Sequence, residues 1–380
     1  HRPLTFRSPT GAGNMTPAIR HATLDDLDHL VELEKRSFFS DEISRRSFRS
    51  LLTKAHSTTL VEEKEGRVRG YVILLFSNVS ALARLYSIAV DPDARGQGLG
   101  RALVEAAERE ALEHDCVTMR LEIREDNRAS IALFKAMGFR QFGTVDDYYE
   151  DHMPALRFEK NLAPQLKPTL ARVPFYPQTV QFTCGPAALM MAMKALDPEI
   201  VLDRALELRI WRESTSIYMA RGHGGCGPYG LALSAYHRGF DVELYVKEKG
   251  VFLVDSVRSA DKKEVMEVVQ EEFLAEMREL PIKVHYRSMR ADELEAAFRA
   301  GGIPVVLISS YRIDRKRIPH WLVVTGFDER FIYVNDPYVD AERHEAGADC
   351  IDIPIPRREF ERLAKYGKVG QKAVVVVSKG

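Results

Sequence analysis

Three prolines fall within the twelve residues Ala163-Pro164-Gln165-Leu166-Lys167-Pro168-Thr169-Leu170-Ala171-Arg172-Val173-Pro174. Proline fixes φ, removes a backbone donor and pushes the preceding residue out of the helical region. The stretch therefore reads as an extended connector. A chain of 380 residues has room for two or three domains at roughly 150 residues each, and the connector divides it into two patterned parts. Residues 1–15 are expected to be a disordered lead or a cloning remnant, since they lack the apolar run of a secretory signal; Met15 reads as the native start. Residues 16–162 form the first domain, 163–172 the linker and 173–380 the second domain. No internal repeat or low-complexity tract is present.

Composition excludes several classes. Lys and Arg number 54 against 55 Asp and Glu, a formal net charge of -1. That balance excludes a generally basic nucleic-acid binder or an acidic tail protein, although a local basic groove stays open. No stretch approaches the ~20 apolar residues of a membrane span. The four cysteines, Cys116, Cys184, Cys226 and Cys350, are too few for a disulfide scaffold. They point to a reducing, cytoplasmic setting in which a single thiol can act as a nucleophile. The expected partner is a peptide or protein substrate, with no nucleic acid and no membrane; the oligomeric state is left open.

In the first part, apolar residues at Leu27, Leu30, Val31 and Leu33 give helical spacing over Leu24 to Phe38, with Thr23 and Asp25 as capping options. Arg69 to Phe76, Leu85 to Val90 and Val117 to Ile123 read as strands. Leu99 to His114 and Asn127 to Met137 read as helices. The strand ending at Val90 turns through Asp91-Pro92 and enters the helix through Arg95-Gly96-Gln97-Gly98-Leu99-Gly100-Arg101. Glycine lets the backbone come close to a bulky anion, and the unpaired N–H groups of a first helical turn point at it. A pyrophosphate is the natural guest. A tight turn without a ligand remains open. A dinucleotide fold would place the loop near the first strand, and a triphosphate loop needs a following Lys-Ser or Lys-Thr that is absent.

These residues resemble the GNAT acetyltransferases, closest to the branch that acetylates the N-terminal alanine of a ribosomal protein. Arg95-x-x-Gly98-x-Gly100 is similar to that family's pyrophosphate loop. Leu121-Glu122-Ile123-Arg124-Glu125-Asp126-Asn127, followed by Ile131-Ala132-Leu133-Phe134 and Gly138-Phe139, resembles its next signature. The resemblance implies a mixed sheet with flanking helices and acetyl-CoA as cofactor. It implies cofactor contacts from Ile88, Ala89, Val90, residues Arg95 to Arg101 and Asn127, and Glu122 as general base. Read alone, Glu122 also fits a surface strand end and Asn127 a helix N-cap. Phe134 stands where the family has an acidic tyrosine. Tyr148 or Tyr149 is then the substitute, or water protonates the thiolate, or the domain senses acetyl-CoA with weak turnover.

In the second part, Cys184 to Leu196, Asp261 to Leu280 and Ala291 to Ala300 read as helices. Ile303 to Ile308, Trp321 to Phe327, Phe331 to Asn335 and Ala373 to Val377 read as strands. A helix first and strands gathered late suggest an α+β domain. Cys184 opens its helix, a position that favours thiolate formation, and Pro186 is tolerated in the first turn. Gln178, six residues upstream, can donate to an oxyanion, with the Cys184 N–H as second donor. His320 stands at a strand entrance. A hairpin at Asp328-Glu329 brings it near Asp336, which can orient the imidazole.

Together these residues resemble the bacteriocin-processing, double-glycine-leader cysteine peptidases of the papain-like superfamily. Gln178, Cys184, His320 and Asp336 match that family's motifs in chain order. The exporter segments that usually accompany such peptidases are missing, and Trp211 to Gly227 is unfamiliar. There, His223-x-x-Cys226 suits a structural turn, a substrate loop or, lacking a second ligand pair, a metal site least of all. No metal is expected. The whole reads as an α/β and α+β two-domain protein. It joins an acetyl-CoA-dependent N-acetyltransferase of a peptide or protein amine to a Cys-His-Asp thiol peptidase. An acyl or amide transferase at the thiol is the competing enzyme reading.

Overall fold

The computed structural model describes residues 18–38, 41–215, 224–254, 257, 259–309, 318–340, 347–365 and 370–380. His223 and residues 1–17 lie outside them. The chain forms two compact units. The first comprises the described residues of 1–75, 85–113 and 121–158; the second comprises those of 76–84, 114–120 and 159–380.

The N-terminal elements run β1 (Ile19–His21), α1 (Leu27–Ser37), α2 (Arg45–Thr53), β2 (Ser57–Lys64), β3 (Arg67–Phe76), β4 (Leu82–Val90), α3 (Leu99–Glu113), β5 (Thr118–Arg124), α4 (Arg128–Ala136), β6 (Arg140–Val145) and β7 (Ala155–Asn161). Their strands make a seven-stranded mixed sheet of order β1-β2-β3-β4-β5-β7-β6. The expected helix near Leu24 starts as a 3-10 turn, Leu24–Asp26, closed by a capping box between Thr23 and Asp26. Helix α1 then buries Leu27, Leu30 and Leu33, which pack with Phe48, Leu51, Val61, Tyr71 and Ile73. The burial of Leu27, Leu30 and Leu33 follows the i, i+3 spacing seen in the sequence. The glycine loop follows the fourth strand, one strand later than the sequence suggested. Strands β4 and β5 run parallel, paired over Leu82–Arg84 and Thr118–Arg120. The remainder of β4, Leu85 to Val90, lies beyond that pairing.

The later elements run β8 (Thr169–Leu170), α5 (Cys184–Leu196), α6 (Arg204–Ser214), α7 (Pro228–Tyr236), β9 (Phe240–Val246), α8 (Ala260–Arg278), β10 (Lys283–Tyr286), α9 (Ala291–Arg299), β11 (Ile303–Ser309), β12 (Pro319–Phe327), β13 (Phe331–Asn335), β14 (Ile353–Pro356), α10 (Arg357–Leu363) and β15 (Ala373–Lys379). The sheet order is β10-β9-β15-β11-β12-β13-β14, with β8 paired to β12. All of its pairs are antiparallel except β10 with β9. Helix α5 packs on β12 and β11, and α7 packs on β9. Met190, Met191, Val305, Val323, Val324 and Val375, all fully buried, share this core.

The connector carries a short strand: Thr169 and Leu170 pair with Phe327 and Gly326, and the Ala171 N–H reaches Thr325 O at 2.8 Å. The Pro-poor segment between Pro168 and Pro174 keeps its donors and can join an edge. One expectation is corrected: the strands do not all gather late, since β9 enters before α8 and lies inside the sheet between β10 and β15. Its buried Phe240, Val242 and Leu244 give a period-two pattern that the likewise buried Tyr245 and Val246 blur at its end.

Candidate functional sites

In the N-terminal elements, β4 ends at Val90 and the chain turns over Pro92–Ala94, capped by Asp91 through its side-chain bond from the Asp93 N–H. Asp91 is buried and is held by Arg36 at 2.7 Å and Arg67 at 3.0 Å. Gly96 and Gly98 take φ of +77° and +79°, a region that L side chains enter at a cost. A Cβ at either would meet nothing within 4 Å, so conformation rather than crowding requires glycine. The first intrahelical bond of α3 runs from Ala102 N to Gly98 O at 3.1 Å. The N–H groups of Leu99, Gly100 and Arg101 belong to the unpaired first turn. This loop, with Ile88, Ala89 and Val90 on the part of β4 beyond its pairing with β5, suits a pyrophosphate with an extended arm.

On β5, Leu121 and Ile123 are buried and Glu122 between them is half-buried on the other face. Asn127 is the N-cap of α4, its side chain accepting from Ser130 N at 3.1 Å. Phe134 is 2% exposed and stacks edge-on with Phe139 at 5.2 Å, a core residue with no proton to give. Of the two tyrosines weighed as substitutes, Tyr149 feels the charge of Glu122. Burial, then Tyr148, then Glu122 hold its phenol well above the usual tyrosine range. The Arg124 guanidinium lies 4.9 Å from its ring centroid.

In the second unit, Cys184 is the first residue of α5 and Thr183 its N-cap. The first helical bond is Ala187 N to Thr183 O at 3.0 Å, so the Cys184 N–H stands in the unpaired first turn. Gly185 allows the helix start to seat closely: a Cβ there would lie 3.2 Å from Leu231 Cδ1, 3.2 Å from Trp321 Cδ1 and 3.3 Å from Cys226 Cβ.

His320 lies on β12 opposite Ile308 of β11. Its Nε2 is 2.6 Å from Asp336 Oδ1, and the two side chains are 11% and 13% exposed. The Cys184 thiol is near enough to act on the same imidazole. Burial is the largest single influence on the imidazole and pulls its pKa down. The charges of Asp336 and Cys184 and the bonds to both outweigh it, so His320 stays protonated well above its ordinary range. Asp336 is fixed in turn by its N–H to Cys350 O at 2.9 Å and by the Tyr338 N–H on Oδ1 at 2.8 Å.

Gln178 is brought to the same neighbourhood by its N–H on Pro337 O at 2.8 Å, one residue beyond Asp336. Its Nε2 donates to Val180 O at 2.9 Å, which leaves the second amide proton. Its Oε1 is buried without a partner.

Two residues at this site were not assigned from the sequence. Glu207 of α6 is fully buried and accepts from Tyr176 Oη, Thr179 N, Thr179 Oγ1 and Thr183 Oγ1. Its signal is faint: it shares the buried stripe of α6 with Ile210 and Ser214 at i+3 and i+7. Cys226 packs beside Gly185, and burial followed by the charge of Cys184 pushes its thiol well up. Its half of the His223-Cys226 motif is thus a packed residue bridging to Thr215; the His223 half lies outside the described residues. Among the described residues no group of three His, Cys, Asp or Glu side chains is arranged for a metal ion. No helix among them is long and apolar enough to cross a membrane.

Comparison with known proteins names the family that each part of the chain resembles. The chain belongs to the acetyltransferase (GNAT) family over residues 24–139 and to a family described as Peptidase_C39 like over residues 173–378. The first membership implies acetyl-CoA as cosubstrate. A Bacillus subtilis putative [ribosomal protein bS18]-alanine N-acetyltransferase is 33% identical over 135 residues, which are 36% of this chain and 88% of that protein. The Escherichia coli [ribosomal protein bS18]-alanine N-acetyltransferase is 45% identical over 67 residues, 18% of this chain and 45% of that protein. The crystal structure of the Escherichia coli ribosomal-protein-S18-alanine N-acetyltransferase matches with 29% identity and a TM-score of 0.35, covering 38% of this chain and 93% of that one.

Proposed function

We propose that this chain carries two activities on peptide or protein amino-terminal segments: an N-acetyltransferase and a papain-like thiol peptidase. The observation that carries the peptidase half is the placement of His320 between Cys184 and Asp336. Cys184 Sγ, its proton already held by His320, attacks a peptide carbonyl as the thiolate. The carbonyl oxygen, now charged, accepts from the Cys184 N–H and the free amide proton of Gln178. His320, kept in orientation by Asp336, returns the proton to the leaving amine. Water then attacks the thioester with His320 as base and releases the new carboxylate and the free thiol.

In the acetyltransferase half, the loop from Arg95 to Arg101 would hold the pyrophosphate of acetyl-CoA, with Ile88, Ala89 and Val90 along its arm and Asn127 at its edge. Acetyl-CoA supplies the acetyl group and leaves as a thiol. Glu122 accepts a proton from the substrate amine, directly or through water. Tyr149, held protonated by burial and by the nearby carboxylate, takes the place that Phe134 cannot fill. The relatives' printed names concern the alanine terminus of a ribosomal protein, which makes a protein or peptide α-amine the substrate class proposed for this chain.

The test is a mass-resolved assay of a peptide panel with acetyl-CoA, using wild type, Cys184→Ala and Glu122→Gln. Cleavage that vanishes only in the first variant, and acetylation that falls only in the second, support the reading. Peptides left equally intact by wild type and Cys184→Ala would remove the peptidase half.

A further inference from the structure

Glu207 is a fully buried carboxylate, and such a group costs several kcal/mol unless its charge is met by donors. It is met here by one short stretch of chain. Oε1 accepts from the Thr179 N–H at 2.8 Å and faces the Thr183 hydroxyl. Oε2 accepts from Thr179 Oγ1 at 2.7 Å and Tyr176 Oη at 3.0 Å. These donors span residues 176–183, a segment with no helix or strand of its own. Gln178 lies among them and Cys184 follows immediately.

The network continues inward. Thr183 Oγ1 is also within 2.9 Å of Val180 O, and the Gln178 Nε2 sits on the same carbonyl at 2.9 Å. The one hydroxyl proton of Thr183 cannot serve both acceptors, but the Thr183 N–H also reaches Val180 O at 3.3 Å, so Thr183 links Glu207 to the carbonyl that holds the Gln178 amide. That amide keeps its Oε1 buried and unpartnered, which costs free energy, and is restrained by its bond to Val180 O.

We propose that Glu207 is a positioning residue for the oxyanion donors: it locks the 176–183 segment so that the Gln178 amide and the Cys184 N–H face one carbonyl oxygen. The proposal rests on the thiol-peptidase reading above. It predicts that Glu207 matters for reactions that create an oxyanion and not for those that only need a nucleophile.

Two probes separate these. p-Nitrophenyl acetate acylates a thiol through a charged tetrahedral oxygen; iodoacetamide alkylates it without one. Both rates are measured on Cys184 in the full chain, with Cys184→Ala as blank, for wild type, Gln178→Ala, Glu207→Ala and the double variant. Glu207→Ala is expected to slow acylation by about 10-fold or more, part of the ~10²–10³-fold cost of losing an oxyanion donor outright, while alkylation stays within about 2-fold. The double variant is expected to be no slower than the slower single variant, because both act through one amide.

Acylation unchanged in Glu207→Ala, an equal loss in both reactions, or losses that multiply in the double variant would each overturn the proposal. If Glu207→Ala does not fold, Thr183→Val and Thr179→Ala each remove a side-chain donor and are held to the same selective loss. Failure of the underlying reading looks different: wild-type Cys184 would then react no faster than a free thiol with either probe, and Gln178→Ala would change nothing.

Discussion

His320 and Asp336, sixteen residues apart, meet with Nε2 2.6 Å from Oδ1, because β12 and β13 pair across the Asp328 turn. The contact sets a pH dependence. His320 is held protonated above its ordinary value, chiefly against burial and by the charges of Asp336 and Cys184. The folded state thus binds this proton more tightly than the unfolded state. Its stabilisation is complete below about pH 6.5, the unfolded value, and is lost as pH rises through the folded one. Asp336→Asn removes the attracting charge. The stability advantage of wild type over Asp336→Asn in urea unfolding is expected to be larger at pH 6 than at pH 9. A difference that grows with pH would contradict the assignment.

Gly185→Ala tests the seating of the catalytic helix. The new Cβ meets Leu231, Trp321 and Cys226 at 3.2–3.3 Å, and these neighbours are buried. Overpacking of that kind costs about 1–3 kcal/mol. Thermal unfolding of the variant is expected to fall by several degrees, with slower alkylation of Cys184. An unchanged Tm would show that the site gives way freely.

Gly98→Ala tests the pyrophosphate loop against a matched control. Gly98 and Gly66 have φ of +79° and +76°, and neither has a neighbour within 4 Å of a Cβ. Both substitutions carry a strain of about 1–2 kcal/mol. Only Gly98→Ala is expected to weaken CoA binding in calorimetry, by about 5-fold or more. Equal affinities in the two variants would detach the loop from the cofactor.

Tyr149→Phe tests the replacement for the missing acid. Acetyl transfer is expected to fall about 100-fold in kcat, in line with the loss of a general acid, while Tyr148→Phe stays near wild type. Since Tyr149 is held above the usual tyrosine range, the alkaline limb of the wild-type profile should lie above pH 10 if it reports this group. Two equal variants would leave the proton to water.

Much of this was legible in the sequence where local chemistry is strong. The Gly96–Gly98 loop and the start of α5 at Cys184 are set by conformation and by helix geometry, so glycine and cysteine mark them directly. His320 and Asp336 were legible as a pair because a two-residue hairpin fixes their distance. The short edge strands were not: β8 is two residues long and owes its pairing to β12, not to its own pattern. Glu207 escaped for a related reason. Its role depends on three residues 24 to 31 positions upstream, Tyr176, Thr179 and Thr183, and nothing within α6 shows which face the carboxylate meets. The case for Tyr149 also needed the fold, since two adjacent tyrosines look alike in sequence and neither shows there the burial and the Glu122 charge that act on Tyr149.

The most direct measurement is the rate of iodoacetamide modification at Cys184 as a function of pH, located by peptide mass, in wild type and His320→Ala. Rapid labelling near neutral pH that is lost without His320 is the expected result. Labelling at the rate of an ordinary thiol with a pKa of about 8.5, unaffected by His320→Ala, would contradict the thiol-peptidase account.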